Sequence, residues 1–190
     1  MDARHYDEES FEKVDYSGMS IKNKEFERCT FKDCDLSDGI FTHNRFIECE
    51  FVGCNLSMIR LANTSLRDVV FKQCKLLGVN FSECEDFLFS VRFESCMLDY
   101  ASFDNKKMVK TKFINTSLKQ AVFSNANLAN AVFDNSDLTD AVFNGTELKE
   151  ADFRTALNYS LDPELNNIKK AKFSLHGVAG LLSKYSITIE

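Results

Sequence analysis

The sequence is poor in the groups that catalysis and cofactor binding usually need. Its three histidines, His5, His43 and His176, lie far apart, and no GxSxG, HExxH or paired-carboxylate motif accompanies them. Seven scattered glycines leave no basis for a glycine-rich phosphate cradle. No run of 18 apolar residues is available to span a bilayer, and the opening MDARHYDEES is charged where a signal peptide carries an apolar stretch. These absences point to a cytoplasmic, non-membrane chain with no catalytic residue and no cofactor. The net charge of −6 also disfavours direct binding of nucleic acid, which relies on lysines and arginines to displace counterions from phosphates. At 190 residues and 44% hydrophobic, one domain with one core is expected.

What is abundant is phenylalanine, 18 residues, and its spacing is regular. Every fifth position from Phe11 to Phe81 is large and apolar: Phe11, Tyr16, Ile21, Phe26, Phe31, Leu36, Phe41, Phe46 and so on. The phase slips by two residues between Ser82 and Phe87, then resumes at Leu88 and Phe93 and runs to Phe153. A period of five fits neither the 3.6 of a helix nor the 2 of a strand, so the chain must turn a corner every five residues. Two residues before most centres stands a small side chain, such as Cys29, Cys34, Ala121 or Ala131. A second period of 20 puts Phe on Phe (Phe11, Phe31, Phe51, Phe71, Phe93, Phe113, Phe133, Phe153) and Leu on Leu (Leu36, Leu56, Leu76, Leu98, Leu118, Leu138). Four repeats therefore complete one coil, and the two-residue slip reads as a bulge at a corner.

This CxFxx and AxFxx pattern resembles the A(D/N)LXX motif of pentapeptide-repeat proteins from Phe11 to Phe153. The resemblance implies an all-β fold, a right-handed quadrilateral parallel β-helix, whose central residue and the residue two before it point inward. Residues 1–155 are then expected to form the solenoid, and 156–190 a C-terminal helical capping and dimerisation segment.

All seven cysteines (Cys29, Cys34, Cys49, Cys54, Cys74, Cys84 and Cys96) fall at the small inward position, Cys84 in the irregular repeat. The closest pairs in sequence, Cys29 with Cys34 and Cys49 with Cys54, are five apart and so belong on adjacent faces, unlike the two-residue gap of a zinc knuckle. They read as buried reduced thiols acting as small hydrophobes, and no metal site is expected.

Charge is distributed unevenly: residues 1–153 hold 26 acids and 18 bases, and residues 154–190 hold 3 acids and 5 bases. On the Leu-centred face the outward residues include Asp15, Asp35, Asp38, Asp99, Asp137 and Asp140 against Lys75 and Lys119, an acidic stripe. Lys106, Lys107, Lys110 and Lys112 read as a basic belt on neighbouring faces, and Glu83, Glu85 and Asp86 make the bulge acidic. The stripe reads either as a solvated skin or as a binding face.

After Phe153 the apolar period is lost. Asp162 before Pro163 signals a helix start, a second short helix is expected from Ser174 with Val178, Leu181, Leu182 and Tyr185 on one side, and Ser186–Glu190 alternates like a strand. The stretch LDPELNNIKKAKFSLHGVAGLLSKYSITI resembles the C-terminus of the Qnr-type quinolone-resistance proteins. That resemblance implies a homodimer joined end to end, about 70 Å long and comparable to about 20 base pairs of DNA. It further implies mimicry of DNA toward the type II topoisomerases DNA gyrase and topoisomerase IV. Unlike several Qnr proteins, the chain has no long projecting loops, only the short slip near Asp86. A structural scaffold with an unrelated partner is the alternative.

Overall fold

The corner expected every five residues is present in the backbone. The residue two after nearly every apolar centre sits in the left-handed region, whether glycine (Gly18, φ +63°; Gly53, φ +65°) or not (Asp33, φ +52°; Asp38, φ +56°; Asn125, φ +55°). At many corners the carbonyl of the centre accepts the N–H three residues on, as Leu36 does from Gly39 at 3.2 Å and Leu118 from Ala121 at 3.1 Å. That is a type II turn, and it explains why asparagine and glycine recur at this place. A computed structural model describes residues 4–185, 187 and 188.

Between corners the segments are too short for anything but three- or four-residue strands, and all pairing is parallel between coils. Strands His5–Asp7, Glu25–Glu27, Arg45–Ile47 and Ser65–Arg67 form one sheet. Seven others, from Ser10–Glu12 to Val132–Asp134, form the Phe face. The Leu face and the remaining face are laddered by single bridges such as Asp15↔Asp35 and Ser102↔Val122. Partners are 20 residues apart except across the slip, where Val69 pairs with Val91 and Lys75 with Met97, 22 apart. One coil holds two extra residues, and the ladders on both sides keep their order.

Inward side chains fill the coil stack completely. On the Phe face, rings repeat at the coil spacing, with Phe93–Phe113 at 5.4 Å and Phe113–Phe133 at 5.0 Å, nearly parallel. Across the core they meet rings of the opposite face edge to face, as Phe103–Phe113 do at 6.0 Å and 77°. Each such centre contributes on the order of 1.5–3 kcal/mol by burial, and ring pairs add about 0.5–1.5 kcal/mol. The void bounded by Leu36, Phe41, Leu56 and Leu61 measures about 10 Å³, room for one water at most.

The structure departs from the sequence reading at the C-terminal end and at the slip, and it adds a centre ahead of the first repeat counted. The coil stack begins before Phe11, because Tyr6 is a centre that stacks on Phe26 at 5.2 Å. It also continues past residue 155: Asp137 bridges Leu157, Glu147 bridges Asn167, and Asp152 bridges Lys172. Phe173 stacks on Phe153 at 5.4 Å. Within this continuation the corner at 158–165 is irregular, and Tyr159 and Leu161 fill the core there. Asp162 does accept from Glu164 N–H at 2.9 Å, but the Asp-Pro start yields one turn rather than a helix. Downstream, Asn166 is turned inward, its amide bonded to Phe143 O and Asp162 O. The second expected helix is two short 3-10 turns, Val178–Leu181 and Ser183–Tyr185. Ser186, Ile189 and Glu190 of the expected strand lie outside the described residues, and Ile187 and Thr188 belong to no regular element. No helix among the described residues is long and apolar enough to cross a membrane.

Candidate functional site

A rod with a filled interior can act only through its surface, so the outward positions are where function is sought. On the Leu face, Asp15, Asp35 and Asp137 precede their centres and close the next corner with their carboxylates. Asp35 Oδ1 accepts Ser37 N–H at 2.9 Å and Ser37 Oγ–H at 2.6 Å. Asp15 does the same with Ser17, and Asp137 with Thr139. The hydroxyl and then the amide bond hold Asp15 and Asp35 below the ordinary carboxylate range. Partial burial pushes Asp137 up, but bonds from Thr139, Asn158 and Lys119 outweigh it and its pKa is lowered. Asp99 reaches forward instead, accepting from Ser117 Oγ at 2.5 Å and Lys119 N–H at 3.1 Å. Asp38 and Asp140 stand at left-handed corners, and their carboxylates make no hydrogen bond or ion pair among the described residues.

The six aspartates therefore share one face, but the stripe is interrupted. Between Asp38 and Asp99 the outward residues are Asn55, Ser57, Met58, Lys75, Leu77 and Gly78, without an acid. A second acidic area lies at the start of the opposite face, where Asp7, Glu8, Glu25 and Glu27 surround Arg28 and Arg45. Arg28 bonds Asp7 at 2.6 Å, Glu8 at 3.1 Å and Glu27, and Arg45 bonds Glu25 at 3.0 Å. Sequence reasoning misses it because acids balance lysines and arginines along the full length of that face.

The inward small positions form ladders of their own. Cys34, Cys54, Cys74 and Cys96 stack on one edge, 20 to 22 residues apart, each donating S–H to a carbonyl of the previous coil, as Cys54 does to Phe31 O at 3.3 Å. Ser136 continues the edge with the same bond to Phe113 O at 3.2 Å. All seven thiols are buried and free, and burial pushes Cys49 and Cys84 up to about 12. No group of three or more histidine, cysteine or acidic side chains among the described residues is arranged to hold a metal ion.

The slip is where the structure most alters the reading. Glu85 N–H bonds Thr64 O and Ser90 N–H bonds Leu66 O, both at 3.0 Å, so the two extra residues lie between Glu85 and Ser90. Leu88 is not an inward centre: it is 60% exposed at a left-handed corner, and Phe89 takes the inner place. Phe87 is also exposed, at 68%, and the Arg67 guanidinium lies over its ring at 5.0 Å. Glu83 and Glu85 flank the bulge, and Asp86 opens it. Lys106 does not belong to a surface belt with Lys107, Lys110 and Lys112. Its side chain is only 2% exposed, directed inward beneath the bulge, where Nζ donates to Cys84 O at 2.5 Å and Asp86 Oδ1 at 2.7 Å. The signal is present in the sequence, since Lys106 stands two residues before the centre Met108.

At the C-terminal end the 3-10 turns lie against Tyr159. Leu181 packs partly on the core, Leu182 is half-buried, and Val178 and Tyr185 are exposed together with Leu175 and Ile187. Lys184 fastens this segment to the rod through Asp162 and Glu164, both at 2.8 Å, and those bonds raise its pKa.

A family profile described as a pentapeptide repeat region matches residues 24–103, and one described as pentapeptide repeats (8 copies) matches residues 116–155. No curated protein sequence matches significantly. Among solved structures, a trypsin-treated variant of QnrB1, described as a plasmid-mediated fluoroquinolone resistance protein, superposes with TM-score 0.59 at 18% identity, covering 95% of this chain and 100% of its own. Another trypsin-treated QnrB1 variant gives TM-score 0.55 at 19% identity and 99% coverage of both chains. HetL from Nostoc sp. strain PCC 7120, described as involved in heterocyst differentiation regulation, gives 0.61 at 15% identity, covering 93% of this chain and 91% of its own.

Proposed function

The chain belongs to the pentapeptide-repeat family, and from that premise we propose that it is a DNA-mimic rod that binds a type II topoisomerase and protects it from quinolones or a gyrase poison. The reading rests on binding by the outer surface, because the coil stack leaves no cavity for a substrate. The observation that carries it is the set of six aspartates, Asp15, Asp35, Asp38, Asp99, Asp137 and Asp140, displayed outward on one flat face. Carboxylates at fixed intervals along a rod can meet the lysines and arginines that a topoisomerase presents to DNA phosphates. The similarity to QnrB1 over nearly the whole length supports the fold such a role needs. The proposed active form is a cytoplasmic homodimer joined through Val178, Leu181, Leu182 and Tyr185, with DNA gyrase or topoisomerase IV as partner and no cofactor.

Supercoiling by purified gyrase, with and without ciprofloxacin, tests the proposal. Protection or inhibition at micromolar protein is the expected result. Absence of protection, inhibition and binding would overturn it. A second reading, a scaffold for an unrelated protein, is favoured by the acid-free stretch from Asn55 to Gly78 in the middle of the stripe. Asp35, Asp38, Asp137 and Asp140 replaced together by asparagine separate the two, since a DNA mimic loses topoisomerase binding and a scaffold using another face does not.

A further inference from the structure

Among the described residues Lys106 is the one charged side chain that is fully buried. On the same edge, other coils place the shorter Asn44, Thr64, Ala126, Thr146 and Asn166 there, all buried, and near the N-terminal end a partly exposed lysine, Lys24. An ammonium taken out of water is retained only where its donors are satisfied. Here they are: Cys84 O at 2.5 Å, Asp86 Oδ1 at 2.7 Å, and the Phe89 ring at 5.2 Å. All three partners belong to the segment that holds the two extra residues. Lys106 thus reaches out from the core and fixes the first residue of the bulge, Asp86, which is itself 77% exposed. From the outside, Ser90 Oγ bonds Asp68 at 2.8 Å and closes the other end.

What this fixed bulge presents is apolar. Phe87 and Leu88 are adjacent and mostly exposed, and Arg67, held by Ser65 at 3.1 Å, lies against the Phe87 ring. Two large apolar side chains held out in water on a rigid base are the arrangement expected of an anchor that enters a pocket, and rigidity lowers the entropy lost on binding. Their neighbours Glu83, Glu85 and Asp86 give the tip an acidic collar.

We infer that Phe87 and Leu88 form a docking tip, held in position by the buried Lys106, that enters an apolar pocket with a lysine- and arginine-rich rim on the proposed topoisomerase partner. The inference rests on the topoisomerase reading for its occupant. The basic rim follows from charge complementarity with the collar, and the pocket from the exposed pair. Lys106 is a positioning residue: it never meets the partner.

Binding of the full chain to purified DNA gyrase by biolayer interferometry tests this, with F87S/L88S removing the tip, K106M removing the ammonium, and K107M as an exposed-lysine control. Hydrogen exchange at residues 85–90 is measured in parallel. F87S/L88S is expected to weaken binding by about thirtyfold or more without loss of the fold. K106M is expected to speed exchange across the bulge and weaken binding, and K107M to do neither. Should K106M fail to fold, D86N, which alters only the exposed partner of the ammonium, replaces it with the same expectations. Unchanged binding by F87S/L88S, while the wild type binds, overturns the tip and leaves the topoisomerase reading intact. Exchange in the latch variant equal to wild type overturns the role of Lys106. A wild type that does not bind gyrase removes both the reading and the occupant, and a tip variant that changes only self-association assigns the tip to a second copy and overturns the inference.

Discussion

Gly180 packs so closely on Tyr159 that a Cβ on the glycine would lie 2.1 Å from Tyr159 O. The carbonyl of Gly180 in turn accepts from Leu161 N–H at 3.1 Å, so this contact joins the C-terminal turns to the last coil. The obstacle is backbone and cannot swing away. Gly180→Ala is expected to lift residues 174–185 off the rod, raising amide exchange there at least tenfold, while the coil stack keeps its circular dichroism. Tyr159 Oη is buried and has no hydrogen-bond partner among the described residues, so Tyr159→Phe is expected to be neutral or to stabilise by about 1 kcal/mol in urea unfolding. A G180A protein with unchanged exchange at 174–185 would show that the close approach is not what seats the turns.

The aspartates of the Leu face combine charge with corner geometry, and the two can be separated. In the coil after Asp35, Asn55 closes its corner in the same way, accepting from Ser57 N–H at 3.2 Å and Ser57 Oγ at 2.8 Å. Asp35→Asn and Asp137→Asn are therefore expected to keep stability within about 0.5 kcal/mol at neutral pH, whereas Asp35→Ala loses the cap, about 1 kcal/mol. The lowered pKa of these groups also sets a pH dependence. Their contribution is complete above the ordinary aspartate pKa of about 3.9 and is lost as pH falls through the lower folded value. Unfolding midpoints followed from pH 6 to pH 2 should thus fall more steeply for the wild type than for the double Asn variant. Equal slopes would mean that the corner bonds favour neutral and charged acceptors alike.

Most of the coil stack is legible in the sequence because the core is one-dimensional: each centre meets its own kind 20 residues away, so Phe113 announces Phe93 and Phe133. Failures cluster where one residue departs from the period while the neighbours keep it. Pro163 and Asn158 occupy centre positions with side chains that cannot fill a core, which hides the continuity from Phe153 to Ile168 and Phe173. Leu88 looks like a centre because it is apolar and followed by Phe93 at the right interval, yet the two extra residues put Phe89 inside. The charge of Lys106 points to the surface, while its position before Met108 points inward, and position prevails. Of the candidate surface, residue type and face are legible for the six aspartates, but their engagement in corners depends on serine and threonine neighbours that the period does not weigh.

The thiol ladder gives an alkaline prediction. Burial holds Cys49 and Cys84 neutral up to about 12, against a reference value of 9.0. The folded chain then keeps protons that the unfolded chain gives up, so stability is complete below about pH 9 and declines as pH rises from there toward 12. At the limit the loss is about 1.4 kcal/mol per pH unit for each such thiol. Cys49→Ser retains a donor for Phe26 O, the present acceptor at 3.3 Å, and is expected to flatten the decline between pH 9 and 11. The corollary is that a thiol reagent at pH 8 labels few of the seven cysteines until denaturant is added. Rapid native labelling of all seven would contradict the burial from which both expectations come.

The proposed end-to-end dimer needs a test that leaves the end itself folded. Leu181 is a poor target, because it packs on the chain's own core and a charge there would damage the cap whether or not a partner covers it. Val178 and Tyr185 are better, since they are exposed at 39% and 54%, and the side chain of Tyr185 meets only Glu164 at 3.5 Å and Lys184 Nζ over its ring at 5.1 Å among the contacts of the described residues. Burying such a pair in a symmetric interface contributes several kcal/mol per dimer, and two facing aspartates on each subunit would replace that gain with repulsion. Val178→Asp with Tyr185→Asp is expected to give a monomer by light scattering, with a thermal midpoint close to that of wild type once protein concentration is low enough to dissociate the latter. A double variant that still scatters as a dimer would assign the segment to capping alone and place any self-association on another face of the rod.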